Sequence, residues 1–368
     1  MVLKSTCTKI APPLRNLPAA LKQSRKSGII LQRNAFLANR TRPFSSTPSA
    51  AASGNGTTPG KLTLPYKIES PLAPLGVAAA VSVKEGKNTK VERKVFKEFT
   101  LTDRVALVSG ANHGLGLEMA MALGEAGARV VYCIDLHDKP SDEWVATRDY
   151  LKKLGGTKEI NGNADSYARL EYVSADVRDQ AKVWKIGEEI GDKEGRLDIC
   201  VAAAGVPSSH TDCLEYPDTE LKKVMDVNVN GVLFTAQAAG RQMRRFGKPG
   251  SIVLIASMSG SITNKGHKWV SYNSSKAAVI QMARNMACEL GADGIRVNSL
   301  SPGYIYTNMS AAELNTKPQL LDRWSELTPI NRIGRPDELR GVVTWLASDA
   351  SSFCTGSDII VAGGHQSW

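Results

Sequence analysis

Seven short β-branched runs, each set off from the next by a helical period, constrain this 368-residue chain more than any other feature. They are RVALVSG (104–110), ARVVYCID (128–135), LEYVSAD (170–176), LDICVAAAG (197–205), GSIVLIAS (250–257), GIRVNSLSPG (294–303) and SDIIVAGG (357–364). Strands this continuously apolar cannot turn one face to water, so both faces must be covered. Helical patterns at 115–126, 218–245, 272–290 and 336–348 supply that cover. The combination predicts an α/β fold over residues 99–368: a single doubly wound parallel sheet of about seven strands, flanked by helices on both faces. No internal repeat is present.

The remaining third of the chain has a different composition. Residues 1–50 are rich in Ser, Ala and basic residues (Lys4, Lys9, Arg15, Lys22, Arg25, Lys26, Arg33, Arg40, Arg42) and lack Asp and Glu. That is the composition of a mitochondrial transit peptide, and no uninterrupted apolar stretch suggests secretion. RTRPFSSTPSA (40–50) resembles a common fungal presequence end, with cleavage near Phe44 to Ala50. The expected location is therefore the mitochondrial matrix, or the cytoplasm if the tail is only a basic extension. Residues 51–98, containing SGNGTTPG, read as a linker or loosely ordered arm.

The net charge of +10 belongs to the tail: residues 1–68 hold eleven Lys/Arg and no acid, against 35 basic and 36 acidic residues beyond. A near-neutral folded part argues against a nucleic-acid partner. The absence of a run of about 18 apolar residues argues against a membrane span. Six cysteines (7, 133, 200, 213, 288, 354) show no C-x-x-C spacing and read as small core hydrophobes rather than disulfides or metal ligands.

The first strand runs into GANHGLG, where Gly110, Gly114 and Gly116 are spaced G-x-x-x-G-x-G and a helical pattern follows at once. A tight turn, close backbone approach and helix amides aimed at one point are what a pyrophosphate requires. This makes the sheet a Rossmann-type dinucleotide site, with Asn112, His113 and Leu115 beside the glycines. Asp135, nineteen residues past Gly116 at the end of the second strand, suits an adenosine ribose and repels a 2′-phosphate. The loop offers no Arg or Lys. NAD is therefore expected over NADP, which stays open because the strand is one residue longer than the motif usually allows. A plain strand-end cap is the alternative for Asp135.

VSYNSSKAAV (270–279) opens a helix, with Ser271, Asn273 and Ser274 as candidate caps. The apolar stripe Val279, Met282, Ala283, Met286, Ala287, Leu290 extends backwards by whole turns onto Lys276 and Tyr272. A lysine on a core-facing stripe needs a reason. A tyrosine titrates near pH 10, and an ammonium one turn away on the same face would stabilise its phenolate for acid–base work at neutrality. No metal is required for such chemistry.

Taken in order, SGANHGLG (109–116), ADV (175–177), AAAG (202–205), VNVNG (227–231), IAS (255–257), YNSSK (272–276) and SPGYIYT (301–307) resemble the short-chain dehydrogenase/reductase family over roughly residues 101–368. The resemblance implies hydride transfer between a nicotinamide cofactor and a secondary alcohol or ketone. It implies Tyr272 as acid/base, Lys276 as its partner, Ser257 orienting the carbonyl with Ser259 as competitor, and Asn228 holding a relay water. Asp176 and Val177 would meet adenine. Ala204, Gly205, Pro302, Gly303 and Ile305 would border the cofactor, and Thr307 would hold its carboxamide. The family's usual NNAG stands here as Ala202-Ala203-Ala204-Gly205, which leaves local hydrogen bonding to be found elsewhere. Fifteen residues separate Ser257 from Tyr272, one small insertion more than common.

Residues 304–335 would form a lid over the substrate, with Met309, Leu321 and Trp324 giving it apolar body or simply packing as a helical pair. The ending VAGGHQSW and the insert containing DEW (142–144) resemble fungal sugar-alcohol dehydrogenases and sugar reductases of the arabinitol, mannitol or sorbose type. The substrate expected on that resemblance is a polyol or its ketose. A mitochondrial 3-oxoacyl-thioester reductase is the rival enzyme; a dinucleotide-binding scaffold or sensor is the rival from another class. The resemblance also implies a homotetramer or dimer built on the helices 218–245 and 272–290.

Overall fold

The computed structural model describes residues 72–87, 91–154 and 168–368. The expected transit peptide lies outside the described residues, as does half of the arm. What is described of the arm holds α1 (Gly76–Lys84) and the single turn α2 (Val95–Glu98), neither with a buried residue. The arm's sequence shows no helical period because a helix without a buried face needs none. Lys94 Nζ joins the segment's ends by donating to the carbonyls of Leu72 and Pro74 at 2.8 and 2.9 Å. Leu101 is the first wholly buried apolar side chain.

From there the seven expected strands appear in place. β1 (Val105–Ser109), β2 (Val130–Asp135), β3 (Arg169–Ser174), β4 (Ile199–Ala202), β5 (Gly250–Ile255), β6 (Ile295–Pro302) and β7 (Asp358–Val361) form one parallel sheet in the order β3-β2-β1-β4-β5-β6-β7. The helices between them are α3 (Gly114–Glu125), α4 (Asp142–Leu154), α5 (Gln180–Glu194), α6 (Asp218–Met225), α7 (Val232–Phe246), α8 (Val270–Leu290), α9 (Asn308–Thr316), α10 (Gln319–Glu326) and α11 (Arg340–Ala347). The order reverses between β1 and β4, so the first and fourth strands diverge at their carboxyl ends and leave a crevice there.

Alternation along each strand feeds two cores. In β1, Ala106 and Val108 join the layer of α3, α4 and α11, while Val105 and Leu107 join that of α5, α7 and α8. All five residues of β1 are buried. Close helix approach relies on small residues: a Cβ on Gly187 of α5 would meet the Ala238 carbonyl of α7 at 2.8 Å.

Three expectations need correction. The helix 218–245 is interrupted by a π-turn at Asp226–Gly231, which hydrophobic period alone does not reveal. The 272–290 helix begins at Val270 behind Trp269, with no side-chain cap; Ser271 is instead buried, its hydroxyl 2.7 Å from that of Tyr216. Cys133 and Cys200 are buried as expected, but Cys213 and Cys288 are exposed, since each lies on a solvent-facing turn of its segment. Among the described residues no cysteine is paired.

The start of β1 is tied to β4 by one buried carboxylate. Asp198 Oδ2 accepts from the Val105 amide at 2.9 Å and from Arg196 Nε at 2.8 Å. Asp198→Ala should cost about 2–4 kcal/mol by orphaning that amide and leaving the Arg196 guanidinium only Asp103 as its carboxylate partner. Urea unfolding should show a lower midpoint at unchanged slope.

Candidate active site

One cavity of about 620 Å³ runs along the carboxyl edge of the sheet, from Asp135 at the end of β2 to Tyr272 at the start of α8. Its floor is backbone. Gly110 has φ +67°, and a Cβ there would stand 2.7 Å from Ala204 Cα, so only glycine lets the β1 turn approach the β4 turn. A Cβ on Gly116 would run into the Gly110 carbonyl. The Ala204 amide donates to the buried Ser109 hydroxyl at 3.4 Å, the in-chain support that the Ala-Ala-Ala-Gly stretch itself does not provide. His113 precedes α3 without a side-chain cap, and the first-turn residues Gly114, Leu115 and Gly116 line the cavity. Turn, close approach and uncapped helix end fit the pyrophosphate of a dinucleotide.

Most of the expected cofactor contacts border this space: Gly110, His113, Gly114, Leu115, Gly116, Asp135, Asp176, Val177, Ala204, Gly205, Tyr272, Lys276, Pro302, Gly303, Ile305 and Thr307. Asn112 does not. Its Oδ1 accepts from the Ser141 amide at 2.7 Å and its carbonyl from the Ser141 hydroxyl at 2.6 Å, so it braces the loop from behind. Asp135 lines the cavity at only 8% exposure and also caps the strand end. Its Oδ2 accepts from the Asn112 amide at 3.0 Å, and its Oδ1 from the Leu136 amide at 2.8 Å with His137 Nδ1 at 3.1 Å. Asp176 is paired with Arg178 at 2.6 Å, which holds its carboxyl below the usual range. Thr307 caps α9 through the Ser310 amide.

At the other end, β5, a short turn and α8 converge. Ser257 lies two residues past β5, and its hydroxyl is near enough to the Tyr272 phenol to oppose the effect of burial on it. It also accepts from the Ser259 amide at 3.2 Å, which leaves Ser259 the supporting partner. Lys276, 5% exposed, donates to the Ile255 carbonyl at 2.9 Å, and its Nζ is 5.7 Å from the Tyr272 ring centre. Asn228, fully buried in the π-turn, accepts from the Val206 amide at 2.8 Å and donates to the Val206 carbonyl and the Ser275 hydroxyl, both at 3.1 Å. Gly205 lies directly against this corner: a Cβ there would sit in ordinary contact with Asn228 Oδ1 (3.4 Å) and Lys276 Nζ (3.6 Å).

The electrostatics correct one expectation. The Tyr272 hydroxyl is raised above its ordinary value, because burial outweighs the opposing effect of Ser257. Burial also lowers Lys276 to about 8. The lysine's hydrogen bond goes to Ile255, not to the phenol, and desolvation dominates both groups.

Several residues escaped sequence reasoning. Ser275, inside YNSSK, links Asn228 to the Tyr272 carbonyl (2.7 Å). The insertion before α8 is fixed by buried Asn264, which accepts from Asn273 at 3.2 Å and donates to the Tyr304 hydroxyl at 3.1 Å. That loop places Trp269 on the cavity, beside Ser208, His210 and Glu313. In the lid, Trp324 is buried and stacked on Tyr304 at 4.3 Å, and it lines the cavity with Met309; Leu321 is an outer residue, 41% exposed. Among the described residues no helix is long and apolar enough to cross a membrane.

Comparison with known proteins bears on this geometry. A family model described as "Enoyl-(Acyl carrier protein) reductase" matches residues 110–366. Sorbose reductase of Schizosaccharomyces pombe is 39% identical over 269 residues, 73% of this chain and 98% of that protein. A probable NADP-dependent mannitol dehydrogenase of Yarrowia lipolytica is 35% identical over 278 residues, 75% and 92% of the two chains. A solved short-chain type dehydrogenase/reductase from Mycobacterium marinum superposes with a TM-score of 0.65 at 36% identity, covering 74% of this chain and 98% of its own.

The buried lysine has a thermodynamic consequence. A folded-state value near 8, below the ordinary 10.5, means that the fold disfavours the ammonium. Stability is therefore lowest below pH 8 and rises as pH climbs from 8 towards 10.5. Lys276→Met should be more stable than the native chain at pH 7 by about 1–3 kcal/mol, net of the lost Ile255 bond. Urea melts at pH 7 and pH 10 should show this gap closing at the higher pH.

Proposed function

This chain belongs to the short-chain dehydrogenase/reductase family and is an NAD(P)-dependent oxidoreductase that interconverts a secondary alcohol and its ketone; from that premise we propose that its substrate is a polyol or the corresponding ketose. The observation that carries this reading is the polar wall of the cavity near Tyr272, where Ser208, His210 and Glu313 line the space with Trp269, whose ring centre is 6.2 Å from that of Tyr272. The names of its relatives, sorbose reductase and mannitol dehydrogenase, point the same way. No residue of the site favours a thioester substrate or a purely binding role.

The bound nicotinamide dinucleotide supplies the hydride acceptor or donor. The chain does the rest. Tyr272 Oη exchanges the proton with the substrate oxygen, and Ser257 Oγ holds that oxygen and the phenol in one hydrogen-bonded line. Lys276, able to change charge near neutrality, balances the phenolate and refills its proton. Asn228 holds the β4 loop to α8 through Val206 and Ser275, and so fixes the corner through which protons leave. Thr307, at the head of α9, anchors the nicotinamide side.

We further assign NAD as the preferred cofactor, because the Asp135 carboxylate at the cavity's adenosine end disfavours a 2′-phosphate. Residues 1–50 are read as a cleaved import signal, 51–98 as the arm and 99–368 as the catalytic domain of a matrix enzyme assembled as a tetramer. A monomeric mass at micromolar concentration would rule out the assembly, and cytoplasmic retention of a reporter fused to residues 1–50 the location.

Purified protein lacking residues 1–50, assayed with NAD and NADP on polyols, ketoses and an acetoacetyl thioester, tests the substrate and cofactor. Tyr272→Phe should lower turnover by at least about 10³-fold while the dissociation constant for NAD, read by fluorescence titration, stays within about twofold. Lys276→Ala should damage both. Thioester reduction with NADPH in place of polyol turnover would overturn the proposal.

A further inference from the structure

The substrate end of the cavity contains buried polar atoms that no hydrogen bond within the chain satisfies. Ser208 Oγ and Glu313 Oε1 are both buried atoms without a hydrogen-bond partner, and both residues line the cavity. Glu313 lies on α9, six residues beyond Thr307, and its side chain is 22% exposed. Its nearest neighbour is His210 Nε2, 3.0 Å from Oε1. That nitrogen already accepts the indole N–H of Trp269 at 3.0 Å. An indole can only donate, so His210 meets the carboxylate with its bare nitrogen and not with a proton. The cation within reach is Lys317, with Nζ 3.7 Å away and half exposed.

A half-buried carboxylate that lacks a donor has a definite chemical preference. It binds a neutral ligand carrying hydroxyl groups, which donate, and it disfavours a ligand carrying a carboxylate, whose charge Lys317 only partly offsets. We propose that Glu313 is the specificity-determining residue that restricts the site to uncharged polyhydroxy chains: Oε1 accepts a hydrogen bond from a hydroxyl distal to the reacting carbon, Ser208 holds a neighbouring one, and the carboxylate charge turns sugar acids away. This rests on the polyol reading above and narrows it, because sugar acids present the same hydroxyls with one added charge.

The test compares kcat/KM for D-mannitol and D-arabinitol with that for D-gluconate, in the native chain and in Glu313→Gln. The native chain should favour the better polyol by about 100-fold or more. Glu313→Gln should shrink that ratio by about tenfold or more, through a higher KM for the polyol and a lower one for gluconate. A merely structural role would move both substrates together. Glu313→Asp, which keeps the charge, serves as the second variant: it should weaken the polyol without admitting gluconate, and melting temperatures establish that both variants fold. An unchanged ratio in Glu313→Gln, or gluconate used as well as polyols by the native chain, overturns this proposal and leaves the polyol reading standing. Turnover confined to simple secondary alcohols or to the thioester overturns both.

Discussion

The arrangement depends on a lysine ammonium held inside the protein by a single main-chain acceptor. Lys276 Nζ bonds the carbonyl of Ile255, the last residue of β5, and has only 5% of its surface left to water. An ammonium in such a place loses most of its hydration, so its proton affinity drops until charge and neutrality are close in energy near pH 8. The same burial raises the Tyr272 phenol. Proton transfer from the ammonium to a phenolate thus becomes downhill, where in water the two groups are nearly matched, and no direct hydrogen bond joins them. Hydrophobic packing, rather than a charged partner, does the tuning.

That tuning requires α8 to be rigid against β5. The helix carries Val279, Ile280, Ala283 and Ala287 into the same core as Ile252 and Leu254 of β5. Between them, a Cβ on Gly260 would come 2.7 Å from the Lys276 carbonyl carbon, so the connecting turn lies directly on the helix backbone. Ser257, Tyr272 and Lys276 are therefore fixed by one packed unit: strand, turn and helix. Asn228 reaches that unit from the opposite side, where the π-turn buries it completely and its amide bridges Val206 and Ser275.

The fold was legible because parallel strands buried on both faces leave an apolar run that no surface element shows; six of the seven strands fall within their sequence spans, and β3 begins one residue before its own. Tyr272 and Lys276 were legible for a related reason, since a polar pair on an apolar stripe contradicts its own period. What the sequence hid has no period. The π-turn changes the register without changing composition. Asn112 belongs to the glycine motif yet bonds Ser141, a partner 29 residues away that only the fold brings near. His210 and Glu313 stand 3.0 Å apart but 103 positions apart in the chain, on a loop and on a lid helix, and neither sits in a pattern. Backbone-periodic features can be read in one dimension. Side-chain convergence across loops cannot.

The same distinction separates the conserved chemistry of hydride transfer from the choice of substrate. The glycine turn, Ser257, Tyr272 and Lys276 sit on the sheet's carboxyl edge, where strand ends, α3 and α8 are held by two cores. The substrate side is built from elements with little core of their own: the loop bearing His210, the insertion bearing Trp269, and the α9–α10 lid. These are not independent of the edge. Trp324 of α10 stacks nearly parallel (3°) on Tyr304, which directly follows the Pro302–Gly303 turn at the end of β6, and the Tyr304 hydroxyl is bonded by Asn264 of the insertion. His365, near the C-terminus, closes the other side of Tyr304 edge-on at 5.2 Å. One aromatic residue thus registers lid, insertion and tail against the strand that carries the cofactor turn. Substrate recognition can therefore vary by side chain on these loops while the distance from the lid to the reacting end stays set by the Tyr304 stack.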